Sequence, residues 1–339
     1  MATEQQLINN SLVIYGDSRS GKTTECRAVA WYIWEKYGLK TRYITCDGGG
    51  LQPLADYVEA GLIDAIDITG HDDFLLVFRA LSDGQWRVNG KWVPWASQTD
   101  KDQVGLYIVE SIASVCEELM QYYVRNGIRF GNQDLLAKQV IKAQTPEMTG
   151  QPQETVASAN MTTYMGISNE IFERIRSFRK LLNLGPKMLV WTSQEASGSE
   201  TLAGIKRSSI GIGAIGQAIT PTLPKHFGDM VHIELATLPN KQTERRAYFT
   251  PHADPELGNR EWKASLRLTP VEVAALIKDP EFKNGYVVLT PEDDPLTRQG
   301  FTKLFRWRDQ LQSTAADKIR ARMAAAKAAP VATEGGDAK

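Results

Sequence analysis

Residues 11–23 read SLVIYGDSRSGKT, a short apolar run followed at once by a glycine-containing turn and a lysine. The apolar run, Ser11 to Tyr15, is typical of a buried strand, and residues 24–37 carry apolar side chains at helical spacing. The turn between them, residues 16–23, matches GxxxxGK[ST] without departure. A strand, a turn of this kind and a helix in succession predict a P-loop within an α/β fold.

The spacing of this turn suits a bound phosphate chain. Glycines let backbone N–H groups wrap a β-phosphate, and the following helix directs its positive end at the same anion. We expect Lys22 to neutralise β- and γ-phosphate oxygens and the Thr23 hydroxyl to reach Mg²⁺. The expected ligand is a nucleoside triphosphate, and we expect ATP with Mg²⁺. The predicted nucleotide-binding residues are Gly16, Asp17, Ser18, Arg19, Ser20, Gly21, Lys22, Thr23 and Thr24.

Predicted strands and helices alternate after the P-loop, which indicates a mostly parallel sheet sandwiched by helices. Further strands are predicted at residues 41–46, 65–69, 104–109, 187–192, 230–236 and 245–250. Helices are predicted at residues 72–81, 112–123 and 168–184. Asn89-Gly90, between Trp86 and Trp92, predicts a β-hairpin, because Asn-Gly tolerates the positive φ angles of a type I′ turn.

The composition along the chain indicates one main domain with additions. Residues 195–216, rich in Gly and Ser, are predicted to form a long mobile loop. The predicted parts are a P-loop domain at 1–270, a hairpin insertion at about 84–96, a polar insertion at about 126–160, a small helical C-terminal extension at 271–314, and a charged helix with a disordered tail at 315–339.

Three polar residues follow predicted strands, where ligands of open α/β sheets bind. Glu110 ends VGLYIVE and could hold Mg²⁺ through water, or it could be a solvated residue that caps a strand. Asp47, before three glycines, could be the general base or an ordinary turn aspartate. Gln194 could sense the γ-phosphate or be a buried capping amide. The predicted catalytic residues are Lys22, Asp47, Glu110 and Gln194, with Thr23 and Glu110 at the metal.

The overall composition argues against a strongly basic, a disulfide-rich or a membrane-spanning protein. The chain of 339 residues is 42% hydrophobic with a net charge of −1, so nucleic-acid binding would require a local basic patch. Its three cysteines form no CxxC pair, which favours a reducing compartment over a disulfide scaffold. The start MATEQQLINN does not resemble a signal peptide, and no apolar run reaches the length of a membrane span. We therefore expect a cytoplasmic protein without membrane partners.

Over about residues 11–270 these pieces resemble the RecA-like ATPases, and in particular the RecA-like AAA-type ATPases of bacteriophages, some of which act in single-strand annealing recombination. YIVES resembles the strand that ends in Asp-Ser, YITCDGGG the strand that ends in the catalytic carboxylate, and VWTSQEAS the strand that ends in a sensor glutamine. The chain departs from this pattern where Glu110 replaces aspartate and where Asp47 replaces the commoner glutamate. Both inserted segments are departures too.

The resemblance implies a homo-oligomer in the host cytoplasm, with single-stranded DNA as a partner. In such proteins the loop after the sensor contacts DNA, and basic residues reach a neighbouring subunit's nucleotide. Lys206, Arg207 and Lys225 occupy those positions here, unless they are ordinary solvated charges. The tryptophans 86, 92 and 95 could stack on bases, although a cross-strand tryptophan pair within the hairpin explains two of them as well.

Several functions share a P-loop. The leading hypothesis is an ATPase that acts on DNA in phage recombination or replication. A nucleotide-switched assembly or scaffold protein with slow or no hydrolysis is the second, and Glu110 in place of aspartate favours giving it weight. A DNA-packaging ATPase is weaker, because only about 70 residues follow the core and such motors usually add a nuclease domain. A small-metabolite kinase fits the long series of strands poorly.

Overall fold

A computed structural model describes most of the chain. The described residues are 10–47, 49–68, 76–77, 85–88, 91–94, 104–126, 136–140, 155–159, 161–179, 188–202, 205–214, 223–254, 260–289 and 299–328.

Strands and helices alternate through the first half of the chain, as predicted. The strands are β1 (Asn10–Gly16), β2 (Lys40–Thr45), β3 (Ile63–Asp67), β4 (Gln85–Val88), β5 (Lys91–Pro94), β6 (Val104–Glu110), β7 (Leu136–Val140), β8 (Thr155–Ala159), β9 (Met188–Leu202), β10 (Ile205–Ile212), β11 (Asp229–Thr237), β12 (Thr243–Tyr248), β13 (His252–Asp254), β14 (Arg260–Trp262) and β15 (Tyr286–Val288). The helices are α1 (Lys22–Tyr37), α2 (Ala55–Glu59), α3 (Ile112–Asn126), α4 (Met161–Arg179), α5 (Pro270–Leu276) and α6 (Thr302–Ala328).

The central sheet is mostly parallel. Its parallel part runs in the order β3-β2-β6-β9-β1-β11, and β12 and β15 extend it in antiparallel fashion. β9 therefore lies between the strand that leads into the P-loop and the strand that ends at Glu110. The expected α/β fold with a mostly parallel sheet is confirmed.

Helices cover both faces of this sheet because its strands are apolar on both sides. In β1, Leu12 and Ile14 pack with α1 and α6, while Val13 and Tyr15 pack with α3 and α4 on the opposite face. All seven residues of β6 are buried, as expected of a central strand. None of the described helices is both long and apolar enough to cross a membrane.

The prediction of a mobile loop at residues 195–216 is wrong for most of this segment, which forms two strands. β9 continues to Leu202 and pairs antiparallel with β10, which in turn pairs parallel with β14. A Gly- and Ser-rich strand has weak β propensity of its own, and here its ladder partners supply the order. The polar insertion likewise contains the antiparallel pair β7 and β8, and α4 begins at Met161 rather than at residue 168. Of the helix predicted at 72–81, residues 76–77 are helical and the rest lies outside the described residues.

The tryptophan hairpin is present, but neither predicted role of Trp86 is correct. The register places Trp86 opposite Val93 and Trp92 opposite Arg87, so the two tryptophans are not a cross-strand pair. Trp86 is 1% exposed within the core, and the Arg42 guanidinium lies 4.4 Å from the centre of its ring. The ring is therefore closed to a nucleic-acid base in this structure. Residue 95 lies outside the described part of the chain.

The segment after residue 270 packs closely on α1. Phe301 and Phe305 belong to the same apolar cluster as the buried residues of α1, and the Phe301 N–H donates to Glu25 at 2.9 Å. Tyr32 donates to Asp309 at 2.6 Å. α6 is continuous from Thr302 through the boundary predicted at residue 315.

Replacing Phe301 with Ala should therefore lower the free energy of unfolding of the whole domain by about 3–5 kcal/mol, because it leaves a large cavity between α6 and α1. Urea denaturation measures this loss. Ile319→Ala, on an exposed part of α6, the helix that follows Phe301, is the matched control and should change the value by less than about 0.5 kcal/mol. An equally small effect of both changes would mean that α6 does not contribute to the core.

Candidate phosphate-binding site

The carboxyl ends of the parallel strands meet at one edge of the sheet. Gly16, the last residue of β1, is in register with Gln194 on β9. Thr45, the last residue of β2, is in register with Glu110 on β6. These ends and the start of α1 surround a pocket of about 280 Å³. The lining residues are Ser18, Arg19, Gly21, Lys22, Thr23, Thr24, Asp47, Pro53, Glu110, Ser111, Gln194 and Arg245.

The turn at residues 16–21 is tightly folded between β1 and α1. The Ser20 N–H donates to the Asp17 carbonyl at 3.2 Å, and the Ser18 N–H donates to the Asp17 side chain at 2.7 Å. A Cβ at Gly16 would lie 2.2 Å from the Ile233 carbonyl oxygen, so only glycine fits there. α1 then begins at the carboxyl edge with its unpaired N–H groups and positive end beside the pocket.

Lys22 is held at the base of the turn. Its Nζ donates to the carbonyl oxygens of Gly16 at 3.1 Å and Asp17 at 2.7 Å. Burial lowers the pKa of this ammonium group, and the neighbouring Glu110 carboxylate opposes the shift. Lys22 is thus one of three basic side chains that line the pocket, together with Arg19 and Arg245.

Glu110 is buried and bonded at both carboxylate oxygens. The Thr23 hydroxyl donates to one oxygen, and the Tyr43 hydroxyl donates to the other. Burial raises the pKa of Glu110 to about 7, although the Thr23 hydrogen bond and the Lys22 charge both lower it. Since Glu110 is only 4% exposed, the alternative of a solvated strand cap is wrong. Thr23 and Glu110 are brought together as predicted, and Tyr43 joins them.

Asp47, after β2, and Gln194, on β9, both line the pocket. The Asp47 backbone is fixed by its N–H donating to the Thr45 hydroxyl at 3.0 Å and its carbonyl accepting from the Gly50 N–H at 2.9 Å. The Asp47 side chain is exposed and free to meet a ligand or water. Gln194 is exposed as well, so the alternative of a buried capping amide is wrong.

The predicted basic contacts lie away from the pocket lining. Lys206 and Arg207 are on β10, in register with Thr201 and Glu200 of β9. Lys225 is exposed on a short 3₁₀ helix at residues 223–226. In contrast, Arg245 lines the pocket although the sequence pattern did not indicate it. Arg245 belongs to no sequence motif, and only the pairing of β12 with β11 brings it to the pocket.

The pocket offers too few oxygen ligands to hold a hard cation such as Mg²⁺ unless a phosphate group supplies further ones. Within the described ranges, no group of three or more His, Cys, Asp and Glu side chains is close enough to hold a metal ion. Thr23 and Glu110 supply a hydroxyl and a carboxylate in contact, which fits Mg²⁺, an ion that keeps water ligands and takes phosphate oxygens. A cation at this position would therefore bind together with a phosphate ligand.

Comparison with known proteins adds no assignment to this site. No protein-family model matches the chain, and no curated protein matches it.

Proposed function

We propose that the protein binds Mg-ATP at residues 16–24 and hydrolyses it, as a RecA-like P-loop ATPase. The observation that carries the proposal is the joint position of Lys22, Thr23 and Glu110 around one pocket at the N-terminus of α1. A buried ammonium group, a hydroxyl–carboxylate pair and the positive end of a helix together suit a triphosphate with its metal ion.

Each residue then has a defined task. Lys22 neutralises charge on the β- and γ-phosphate oxygens, and the N–H groups of the turn hold the phosphate chain. Thr23 and Glu110 would hold Mg²⁺, and the ion would draw charge from the same oxygens. Asp47, exposed at the end of β2, takes the proton of the attacking water. Gln194 lies on β9, between the strand of the P-loop and the strand of Glu110. It contacts the γ-phosphate and couples the presence of this phosphate to the β9–β10 hairpin, which begins at the next residue.

Action on DNA within a homo-oligomer is the wider part of the proposal, with phage recombination or replication as the process. It is supported by the resemblance of the strand-end motifs and by the sheet order, in which the Gln194 strand lies between the strands of the P-loop and of Glu110. Lys206, Arg207 and Lys225 are the proposed contacts to DNA or to a neighbouring subunit. These assignments suit a host cytoplasm as the site of action.

The second candidate function is a nucleotide switch that assembles or acts as a scaffold with slow turnover. The observation that favours it is the Glu110 carboxylate, which is held by two hydroxyl groups and has its pKa raised to about 7. A carboxylate that is neutral for part of the time holds a metal ion less well, which would slow hydrolysis without preventing nucleotide binding.

ATP hydrolysis by the purified chain, with and without single-stranded DNA, separates these functions. Asp47→Asn should lower turnover roughly 100-fold or more while nucleotide affinity stays within about twofold, because only the general base is lost. Asp67→Asn, at the exposed end of the neighbouring strand β3, is the matched control and should leave turnover unchanged.

A rise of turnover with single-stranded DNA supports the DNA-acting ATPase. Nucleotide binding without turnover, whether DNA is present or not, would favour the switch. Equal turnover of wild type and Asp47→Asn would remove Asp47 from the mechanism.

A further inference from the structure

Arg245 lines the pocket but has no role in the proposed hydrolysis of ATP. Strand register places Ala247 of β12 opposite Ile233, and Ile233 opposite Gly16 at the end of β1. Arg245 lies opposite Leu235, farther along β11 and past the end of β1. Because side chains alternate along a strand, Arg245 is on the same face as Ala247, which packs in the cluster that contains α1. The side chain therefore overhangs the first turn of α1.

The guanidinium group of Arg245 lies directly against the P-loop. A Cβ at Gly21 would be 3.0 Å from both Cζ and Nε of Arg245, and Gly21 has a φ of 100°. The backbone behind the side chain is fixed, since the Leu289 N–H donates to the Arg245 carbonyl at 2.8 Å. Arg245 is thus held over the loop by its strand and not by a contact of its charged group.

The charge of Arg245 has no partner among the residues that the structure describes. Its Nε is buried without a hydrogen bond, and none of the described ion pairs includes it. Arg19 and Lys22 line the same pocket, and their charges and the positive end of α1 all repel a cation. The buried carboxylate of the pocket, Glu110, is bonded to Thr23 and Tyr43. An anion in the pocket would satisfy these positive groups together.

We infer that Arg245 binds the phosphate chain of a nucleotide held by its own subunit, an inference that rests on the proposed function. A guanidinium fork matches two phosphate oxygens, which a point-like ammonium cannot do. Arg245 lies at Gly21, where the loop enters α1, whereas the Nζ of Lys22 lies at the carbonyls of Gly16 and Asp17. The two cations therefore contact different parts of the loop. Arg245 therefore contributes to binding of ADP and ATP alike and is not a γ-phosphate sensor.

Titration calorimetry with ATP and with ADP tests this role. Arg245→Ala should weaken binding of both nucleotides roughly ten- to a hundredfold, and Arg245→Lys, which keeps the charge but loses the fork, should weaken it less. Arg246→Ala is the matched control, because Arg246 pairs with Glu244 at 2.7 Å and lies over the Tyr286 ring. It should bind both nucleotides within about twofold of wild type.

The thermal midpoint of the ligand-free protein separates a binding role from a structural one. Removing a repelled cation should leave the midpoint of Arg245→Ala unchanged or higher, while a structural residue would lower it. Unchanged affinity for both nucleotides, or loss confined to ATP, would overturn the inference, and so would a lowered ligand-free midpoint that accounts for the weaker binding.

Binding of inorganic tripolyphosphate tests the role of Arg245 separately from the proposed binding of ATP. If wild type binds neither nucleotide, the proposed function fails, and Arg245 is judged on tripolyphosphate alone. Binding that Arg245→Ala weakens would retain Arg245 as a polyphosphate ligand. No binding, or equal binding by wild type and variant, would overturn that role too.

Discussion

Lys22→Ala is expected to lower the affinity for Mg-ATP by roughly 100- to 1,000-fold. The Nζ group would otherwise make charge-assisted hydrogen bonds to phosphate oxygens, each of which contributes about 1.5–3 kcal/mol. In the ligand-free protein the same group is bonded to backbone carbonyls of the turn, and burial lowers its pKa. Its removal should therefore impair binding far more than folding.

Equilibrium titration with a fluorescent ATP analogue measures the loss, with the thermal midpoint as a check on folding. Lys278→Ala, which removes an exposed lysine after α5, is the matched control and should bind as wild type does. Wild-type affinity in a folded Lys22→Ala variant would refute the site itself.

Glu110→Gln is expected to abolish the pH dependence of Mg-ATP binding. Because the pKa of Glu110 is raised to about 7, its ionised fraction grows roughly tenfold between pH 6 and pH 8, and Mg²⁺ needs the ionised form. Wild-type affinity in the presence of Mg²⁺ should rise by about the same factor over this range. The Gln variant should bind weakly and equally at both pH values.

The same shift predicts the opposite trend for the ligand-free protein. A carboxyl group whose pKa is higher in the folded state than in the unfolded state stabilises the fold below the unfolded pKa, and this contribution is lost as the pH rises to about 7. The loss amounts to about 3 kcal/mol for wild type and should be absent in Glu110→Gln. Urea denaturation at pH 5 and pH 8 measures it.

Glu117→Gln, an exposed change on α3, is the matched control for both experiments and should behave as wild type does. A wild-type stability that does not fall between pH 5 and pH 8 more than that of Glu110→Gln would contradict the raised pKa. Equal pH dependence of Mg-ATP binding in wild type and Glu110→Gln would remove Glu110 from the metal site.

The position of the site could be predicted from local sequence, because the signals are contiguous. The P-loop glycines and Lys22 lie within one turn, and the ends of apolar strands place Asp47, Glu110 and Gln194 at one edge of a parallel sheet. The spacing of apolar residues and the composition of the turn are enough to predict where these residues lie. Their chemical roles remain predictions that the experiments above address.

The partners of these residues could not be predicted, because they come from strand pairing over long distances in the sequence. Tyr43 reaches Glu110 only because β2 and β6 are neighbours, and Arg245 reaches Gly21 only through the β11–β12 register. The hairpin after Gln194 was missed for a related reason. Its Gly and Ser residues indicate a loop locally, while the ladder with β10 determines the observed strand.

A crystal structure of the wild-type protein with Mg²⁺ and a non-hydrolysable ATP analogue is the decisive test of the proposed nucleotide site. We expect one analogue per chain, with its phosphates in the turn of residues 16–24, Mg²⁺ beside Thr23 and Glu110, and Arg245 in contact with the phosphate chain. An empty turn at saturating analogue, or an analogue bound at another surface, would contradict it.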